Sequence, residues 1–320
     1  MDIKYNLFFV FAFLVGLAPF LARSEPIRLA QISRESFAQL KPDVVKLRDA
    51  RLNVAFIRGR FQLPKSQRLA WIKRAAETVS GYFGRFPVPE AHIIVVANGG
   101  RGVQSGTVFG YEIPVIRLIV GTSSLEGDLR SDWKSVHEMA HLGFPNLAEK
   151  HLWLSEGLAV YVERISLVHA GALKRANAWR LFVRDMPHGL PPRNGQGLDG
   201  TTSWGSVYWG GTIYSLLVDI ELRRRTNNRL GLQDALRTSV AAGATHDKLW
   251  PVDRALEAVD SAIGQSVLRE FYERMGKRHY RPDLSQLWRQ LGVRRKGQKV
   301  VLDDNAELAH IRKSIMTPKP

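Results

Sequence analysis

Two histidines stand four residues apart inside an apolar stretch, and this pattern constrains the fold more than any other part of the chain. The stretch reads His137-Glu138-Met139-Ala140-His141, and apolar side chains flank it. Four residues advance a helix by about 400°, so both imidazoles project from one face, a single turn apart. Burying two imidazoles and a carboxylate without partners would be costly. The pattern therefore predicts a buried helix whose polar face binds a metal ion.

A third metal ligand is predicted from the next helix. Two histidines leave a tetrahedral zinc site one protein ligand short, and a catalytic site keeps its fourth position for water. Glu156 lies fifteen residues after His141, where a new amphipathic segment begins, and residues 144–151 form a turn that would make the two helices antiparallel. We predict that His137, His141 and Glu156 bind one Zn²⁺ and that Glu138 is the general base for the zinc-activated water.

Other polar residues near these positions have less specific interpretations. Glu163 lies seven residues after Glu156, within about 20° on the same helical face. It could orient a ligand imidazole by accepting a hydrogen bond from the free ring N–H; a solvated surface charge is the alternative. The remaining histidines lack helical partner spacing, and we interpret each as structural or exposed. They are His92, His151, His169, His188, His246, His279 and His310.

Both helical segments resemble the gluzincins, most closely the aminopeptidase N family and the broader group of peptidase MA-like proteins. The family's Trp-Leu-x-Glu-Gly pattern is present at residues 153–157, and Asn146 falls where the family has an Asn after its second histidine. The resemblance covers roughly residues 128–225. It implies a thermolysin-like zincin fold, a bound Zn²⁺ and a peptide or protein substrate, and it places Asn146 near the ligands.

A tyrosine further along the chain also matches the family. Tyr208-Trp209-Gly210-Gly211 resembles the family's Tyr-x-x-Gly segment, whose tyrosine is catalytic. By this resemblance Tyr208 would donate a hydrogen bond to the oxyanion of the tetrahedral intermediate. The alternative is simple aromatic packing at a helix start, next to Trp204 and Trp209.

The sequence also departs from the family pattern. The connection between His141 and Glu156 is a few residues shorter, and the family's Gly-x-Met-Glu-Asn exopeptidase strand is not present upstream. The nearest counterpart is at residues 110–112, where Glu112 would bind a substrate amine or would be an ordinary strand-edge charge. Segment 105–120 is a better candidate for the edge strand on which an extended peptide lies. End-specificity therefore does not follow from the resemblance.

The periodicity of the chain predicts an α+β fold. Alternating stretches predict strands at 52–58, 92–97 and 115–120, and helical spacing predicts an amphipathic helix over 66–84. Beyond about residue 128 the spacing is almost wholly helical, with a terminal strand at 299–302. The predicted helices are 129–143, 152–166, 170–184, 206–224, 230–241, 251–276 with a break near Gly264, and 283–291. We interpret residues 25–320 as one catalytic domain, with a sheet-containing part (25–125) and a helical part (126–320).

The N-terminus predicts export. A short head with Lys4 precedes an apolar run over 7–21 and small residues at 22–24, which is typical of a signal peptide spanning residues 1–24. An uncleaved anchor is the alternative, although the run falls short of the roughly 20 residues that cross a bilayer. We therefore expect a periplasmic or secreted protein. Its lack of cysteine excludes disulfides and thiolate ligands.

The chain is strongly basic, with a formal net charge of +16. Such a field attracts polyanions, and for an exported protein these would be an anionic envelope polymer or a lipid surface. A composition that only maintains solubility is the alternative. The basic residues are dispersed, apart from short clusters at 223–225 and 294–296. No nucleic-acid motif accompanies them, so we expect no nucleic-acid partner.

Peptide-bond hydrolysis is the leading functional hypothesis. A zinc-stabilised envelope protein that binds without cutting is a second reading, and a zinc hydrolase of a non-peptide substrate is a third, because all three use the same ligands. Glu138 favours catalysis over a structural site, since a structural site needs no general base and usually closes the fourth position.

Overall fold

The computed structural model describes residues 34–110 and 113–319. The predicted signal peptide and the candidate Glu112 therefore lie outside the described residues. Among the described residues, no helix combines the length and the hydrophobicity needed to cross a bilayer.

A mixed five-stranded sheet forms the first part of the fold. Its strand order is β1-β2-β3-β5-β4, with three parallel strands in the middle and an antiparallel strand at each edge. The central strands are continuous apolar runs because both sheet faces are covered. The strands are β1 (Asp43–Lys46), β2 (Arg51–Ile57), β3 (Glu90–Asn98), β4 (Val103–Phe109) and β5 (Val115–Gly121).

The predicted strands are confirmed within one or two residues, and the structure adds β1 and β4. The segment predicted as a single edge, 105–120, contains two strands: β4 is the edge, and β5 lies inside the sheet. One face of the sheet packs into the main core, whereas the other meets a small cluster that includes Phe37 and Ile94.

Twelve helices surround and extend the sheet in the described part of the chain. They are α1 (Arg34–Ala38), α2 (Lys65–Phe83), α3 (Glu126–Arg130), α4 (Lys134–Ala140), α5 (Leu152–His169), α6 (Arg175–Asp185), α7 (Gly211–Arg225), α8 (Leu232–Ala241), α9 (Val252–Ala262), α10 (Val267–Phe271), α11 (Leu284–Gln290) and α12 (Ala309–Ile315). The long helix α2 ends where predicted, at Gly84, which adopts φ 79° and so supplies the left-handed residue that commonly terminates helices.

The predicted helix over 129–143 is broken in the structure. The Asp132 carboxylate accepts hydrogen bonds from the backbone N–H groups of Lys134 (2.9 Å) and Ser135 (3.3 Å), and this capping begins a new helix, α4. After Ala140 the chain tightens into a 3₁₀ turn over His141–Gly143. At Gly143 a Cβ atom would lie 2.1 Å from the Phe83 ring. The helix that carries the His-Glu-x-x-His motif is therefore short and tightly enclosed.

Other boundaries also differ from prediction. The segment predicted as one helix over 206–224 begins with a π-helical turn, Ser206–Gly210, before α7. Helix α6 begins five residues later than predicted, after Gly171, which has φ 73°. The predicted strand at 299–302 is confirmed as β7 (Lys299–Leu302), and it pairs with β6 (Val293–Lys296), which the periodicity missed.

Candidate metal centre

Three side chains from two helices converge on one point. His137 and His141 come from the motif in α4 and the turn after it, and Glu156 comes from the first turns of α5. One ligand atom of each lies within 4.8 Å of the other two. The structure thus brings together the three residues that the sequence assigned to a metal.

Two of the three distances between these atoms match those of a tetrahedral ion, and all three are within 4.8 Å. Glu156 Oε2 lies 3.2 Å from His137 Nε2 and 3.4 Å from His141 Nε2. Ligands about 2.0–2.1 Å from a tetrahedral centre are about 3.3 Å from each other. All three side chains are buried or nearly so. A set of two nitrogens and one carboxylate oxygen, spaced in this way, suits Zn²⁺.

The charges of the cluster are strongly coupled. Burial by itself raises the pKa of the Glu156 carboxyl, but the adjacent His141 and His137 outweigh it and hold that pKa below its ordinary value. Burial lowers the pKa of His137. For His141 the effect of burial is outweighed by the charges of Glu156 and Glu138, which raise its pKa. The Glu156 carboxylate and the His141 imidazole therefore shift each other's pKa toward the charged form.

Glu138 lies beside the cluster, against the edge strand. The nearest backbone is that of Gly106 in β4, where a Cβ atom would lie only 2.4 Å from Glu138 Cγ and 2.7 Å from Glu138 Oε1. Glu138 is 8% exposed, and burial raises its pKa to about 8, although the charge of His141 opposes this. A bound dication would favour the carboxylate form.

Tyr208 reaches the same site from the π-helical turn before α7. Its ring stacks on His137 with a centroid separation of 6.3 Å, and its hydroxyl lies close enough to Glu156 for that charge to shift its pKa. Burial and the charges of Glu156 and Glu138 raise the pKa of its phenol, so the hydroxyl keeps its proton. The structure therefore places Tyr208 at the cluster, where a phenol can donate a hydrogen bond.

The close approach of two helices sets this position. A Cβ atom at Gly157 in α5 would lie 2.1 Å from the backbone of Gly211, and one at Gly211 would lie 1.9 Å from the carbonyl oxygen of Trp153. Thr212 Oγ1 donates to the Tyr208 carbonyl at 2.7 Å. The two glycines let α5 and α7 touch backbone to backbone, and this contact puts Tyr208 next to Glu156.

Glu163 is buried rather than solvated, but its predicted hydrogen bond is not formed. It is fully enclosed, and neither carboxylate oxygen accepts a hydrogen bond. His137 Nδ1 is likewise buried without a partner. The carboxylate instead pairs with Arg164, whose Nη1 lies 3.1 Å from Oε1. Burial, reinforced by Asp132, raises the pKa of Glu163 to about 8, although Arg164 opposes the shift.

A cavity of about 320 Å³ opens over the cluster. The edge strand β4 forms one side of it, through residues 104–108. The candidate residues His137, Glu138, His141, Asn146, Glu156, Glu163 and Tyr208 all line it. The cavity therefore joins the metal cluster to a strand whose outer edge has no partner strand among the described residues.

Two residues at the site were missed by the sequence reasoning. Ser155 Oγ lies 3.3 Å from His141 Nδ1, the ring nitrogen that does not face Glu156. Its position next to Glu156 in the sequence could have indicated this contact. His246 was interpreted as structural or exposed, yet it lines the cavity, and its Nε2 lies 3.2 Å from Asn146 Nδ2. Burial and His141 lower its pKa to about 3, so it is neutral. No spacing rule links residues 100 positions apart.

Asn146 is held by backbone pairing as well as by His246. Its N–H donates to the Lys248 carbonyl at 2.8 Å, and its carbonyl accepts from the Trp250 N–H at 3.0 Å. No hydrogen bond joins its side chain to a predicted ligand among the described contacts. Asn146 thus fastens the segment after the metal helix to a distant loop.

Comparisons with solved structures show which folds this arrangement resembles. An aminopeptidase N family protein from Idiomarina loihiensis superposes with a TM-score of 0.53 at 14% identity, covering 79% of this chain and 49% of that one. An M1 zinc metallopeptidase from Deinococcus radiodurans gives a TM-score of 0.45 at 18% identity, covering 75% and 52%. No family model matches the sequence, and no curated protein matches it.

The overlap with the Idiomarina protein confirms the predicted resemblance at the level of the fold. This chain has a mixed α+β fold shared with an aminopeptidase N family protein. It spans about half the length of the structures it matches.

Proposed function

We propose that this protein is a zinc-dependent peptidase with a thermolysin-like arrangement of its catalytic domain. The observation that carries the proposal is the convergence of His137, His141 and Glu156, whose ligand atoms lie within 4.8 Å of one another, on a cavity that Glu138 also lines. The shared fold with an aminopeptidase N family protein supports it.

In this proposal Glu138 is the general base. A Zn²⁺ held by the three ligands would lower the pKa of a water and polarise the scissile carbonyl. The Glu138 carboxylate takes a proton from that water as it attacks, and then passes the proton to the leaving amine. Because Glu138 is pressed between its helix and Gly106, it is held in place before substrate binds.

Tyr208 would stabilise the oxyanion that forms on the carbonyl oxygen. Its phenol is protonated and lies at the ligand cluster. A hydrogen bond that is strongest in the transition state contributes on the order of 3 kcal/mol when the donor is well placed.

The substrate would be an extended peptide paired with β4. The free edge of this strand borders the cavity through residues 104–108. Backbone hydrogen bonds along a strand bind a peptide whatever its sequence, and they would hold the scissile carbonyl over the ligands.

The test is the Glu138→Gln variant. It keeps the shape of the side chain but removes the base, so we expect zinc to be retained at one ion per chain and cleavage of a mixed peptide library to fall by 10²–10⁴-fold. Zinc content is measured by elemental mass spectrometry, and cleavage is measured by identifying the peptide products.

Glu257→Gln, an exposed residue in α9, is the matched control and should behave as the wild type. A zinc-loaded wild type that cleaves no peptide would refute the proposal. Cleavage unaffected by Glu138→Gln would refute the assigned base.

We also propose that the protein is exported, on the basis of the N-terminal pattern over 1–24. Expression with the native N-terminus followed by intact-mass measurement should show a product lacking these 24 residues. A full-length mass in a membrane fraction would indicate the uncleaved anchor instead.

A further inference from the structure

The two exposed tryptophans both border the metal cavity. The chain has eight tryptophans, all within the described residues. Six are buried or half-buried, whereas Trp133 is 39% exposed and Trp204 is 62% exposed. Both line the cavity. Exposing an indole to water is unfavourable, so a large exposed aromatic surface beside a cleft indicates a binding surface.

The two differ in what already covers them. Lys134 Nζ lies 4.9 Å from the centre of the Trp133 ring, and the Arg164 guanidinium lies 5.3 Å from it. These cations occupy the ring of Trp133 through cation–π contacts. Among the described contacts Trp204 has no such cation. Its ring is the one available to a ligand.

Trp204 is held rigidly in its exposed position. Ser203 Oγ donates to Ser206 Oγ at 2.8 Å and accepts from the Ser206 N–H at 3.2 Å, which closes the turn around Trp204. A Cβ atom at Gly205 would lie 2.3 Å from the His188 carbonyl oxygen, so the turn is packed tightly from behind. The exposure is therefore built into the fold rather than a property of a loose loop.

Trp204 is also connected to the ligand cluster through stacked rings. Its ring lies 5.8 Å from that of Tyr208, which in turn lies 6.3 Å from the His137 imidazole. Trp209 supports it from the side at 6.4 Å. At about 3.3 Å per extended residue, a peptide bound at the metal reaches Trp204 within about four residues. The rings of His137, Tyr208 and Trp204 thus form a continuous row from the ligand cluster to the solvent.

We infer that Trp204 forms a subsite for a bulky apolar or aromatic side chain of the peptide, within about four residues of the scissile bond. The inference rests on the proposed function. Such a side chain would bury the exposed indole, and the exposed Leu152 at the same cavity extends the apolar surface. A cationic side chain could also stack on an indole, and the Arg peptides in the experiment below distinguish it from an apolar one.

The experiment uses a peptide series that differs only at one position, with Phe, Ala or Arg placed in turn at each of the four positions on either side of the cleaved bond. For the wild type we expect kcat/KM to be about tenfold higher with Phe than with Ala at one of these positions. In Trp204→Ala this ratio should fall to near one, and in Trp204→Tyr it should be largely kept. Val301→Ala, which removes exposed apolar surface away from the cavity, is the control and should keep the wild-type ratio.

A binding measurement separates this inference from the proposed function. In the Glu138→Gln background, calorimetry should show tighter binding of the Phe peptide than of the Ala peptide, and Trp204→Ala should abolish the difference. Selective binding without cleavage by the wild type would refute the peptidase and keep the subsite. Cleavage with an unchanged Phe/Ala ratio in Trp204→Ala would refute the subsite and keep the peptidase.

Three other outcomes also overturn the subsite. The first is a preference for Arg peptides that depends on Trp204, and the second is loss of the Phe preference in Val301→Ala. The third is a shift from dimer to monomer in Trp204→Ala, measured by light scattering, while the Phe/Ala ratio of kcat/KM stays unchanged. The last of these would make Trp204 a self-association surface.

Discussion

At the scale of single residues, the site depends on closely packed and buried carboxylates. Glu138 is confined by the backbone of Gly106, and Glu163 is a buried acid that pairs with Arg164 and with no other cation among the described ion pairs. His137, Glu138 and His141 were identified from their spacing within one helical turn, and Glu156 from its position at the start of the next helix. Gly106 was not identified, because its importance depends on a contact with Glu138, 32 positions away in the sequence.

Gly106→Ala should displace Glu138 while leaving the metal ligands in place. The added Cβ would fall 2.4 Å from Glu138 Cγ, so the carboxylate must move. Moving a catalytic group by about 1 Å costs on the order of 10²-fold in rate. We expect kcat to fall by about that factor with zinc content unchanged. Gly99→Ala, which adds a methyl group in open space, is the control, and equal activity of the two variants would contradict the assigned contact.

Glu163 should make the protein less stable as the pH rises. Its pKa is about 8 in the folded protein against an ordinary value of 4.5. Between these values the folded state binds more protons than the unfolded state, so the free energy of unfolding falls from about pH 4.5 to about pH 8. The contribution of this residue is at most about 5 kcal/mol.

The measurement compares the pH dependence of urea unfolding in the wild type and in Glu163→Gln. The variant should show a flatter decline between pH 5 and pH 8. The slopes are compared rather than the absolute stabilities, because the substitution also leaves Arg164 without its partner. Identical slopes would show that Glu163 does not titrate in this range.

At the scale of elements, the contact between α5 and α7 decides whether the site is complete. Helix α5 supplies Glu156, and the π-helical turn before α7 supplies Tyr208; Gly157 and Gly211 let their backbones touch. The periodicity predicted both helices, but it did not predict the π-helical turn or the break before α4. Those details depend on local capping by Asp132 and on packing against other elements.

Gly211→Ala should destabilise this contact. The new Cβ would lie 1.9 Å from the Trp153 carbonyl oxygen, and overpacking of this kind costs about 1–3 kcal/mol. We expect a loss of that size in urea unfolding, with a larger loss of activity as Tyr208 moves. Gly81→Ala, at an exposed position in α2 with nothing nearby, should be neutral or slightly stabilising. A Gly211→Ala variant as stable as Gly81→Ala would contradict the close packing.

At the scale of the whole molecule, the structure distinguishes free positive charge from paired charge. The cluster over 223–225 is largely neutralised: Arg223 pairs with Asp219 in the interior, and Arg225 binds Glu221 and Glu270. The cluster over 294–296 is exposed on β6, in the hairpin with β7; Arg294 pairs with Asp303, whereas no ion pair is found for Arg295 and Lys296 among the described contacts. A sequence count does not separate these cases, since pairing depends on the fold.

We predict that the net charge of +16 produces salt-sensitive binding to anionic surfaces. The protein should co-sediment with vesicles containing an anionic phospholipid at low ionic strength and be released in 1 M salt, where the screening length is about 3 Å. Vesicles of zwitterionic lipid alone are the control. Binding that persists at 1 M salt would indicate apolar insertion and would contradict an electrostatic origin.

The sequence by itself determined the α+β class, the central strands and the candidate metal ligands, because helical and strand periodicities are local and place side chains on a common face without knowledge of the rest of the chain. Only the tertiary structure decided how Gly106 confines Glu138, why Glu163 pairs with Arg164 rather than with a ligand imidazole, and which tryptophans line the cavity. These contacts join positions far apart in the chain or choose between neighbouring partners, so they depend on how the elements pack.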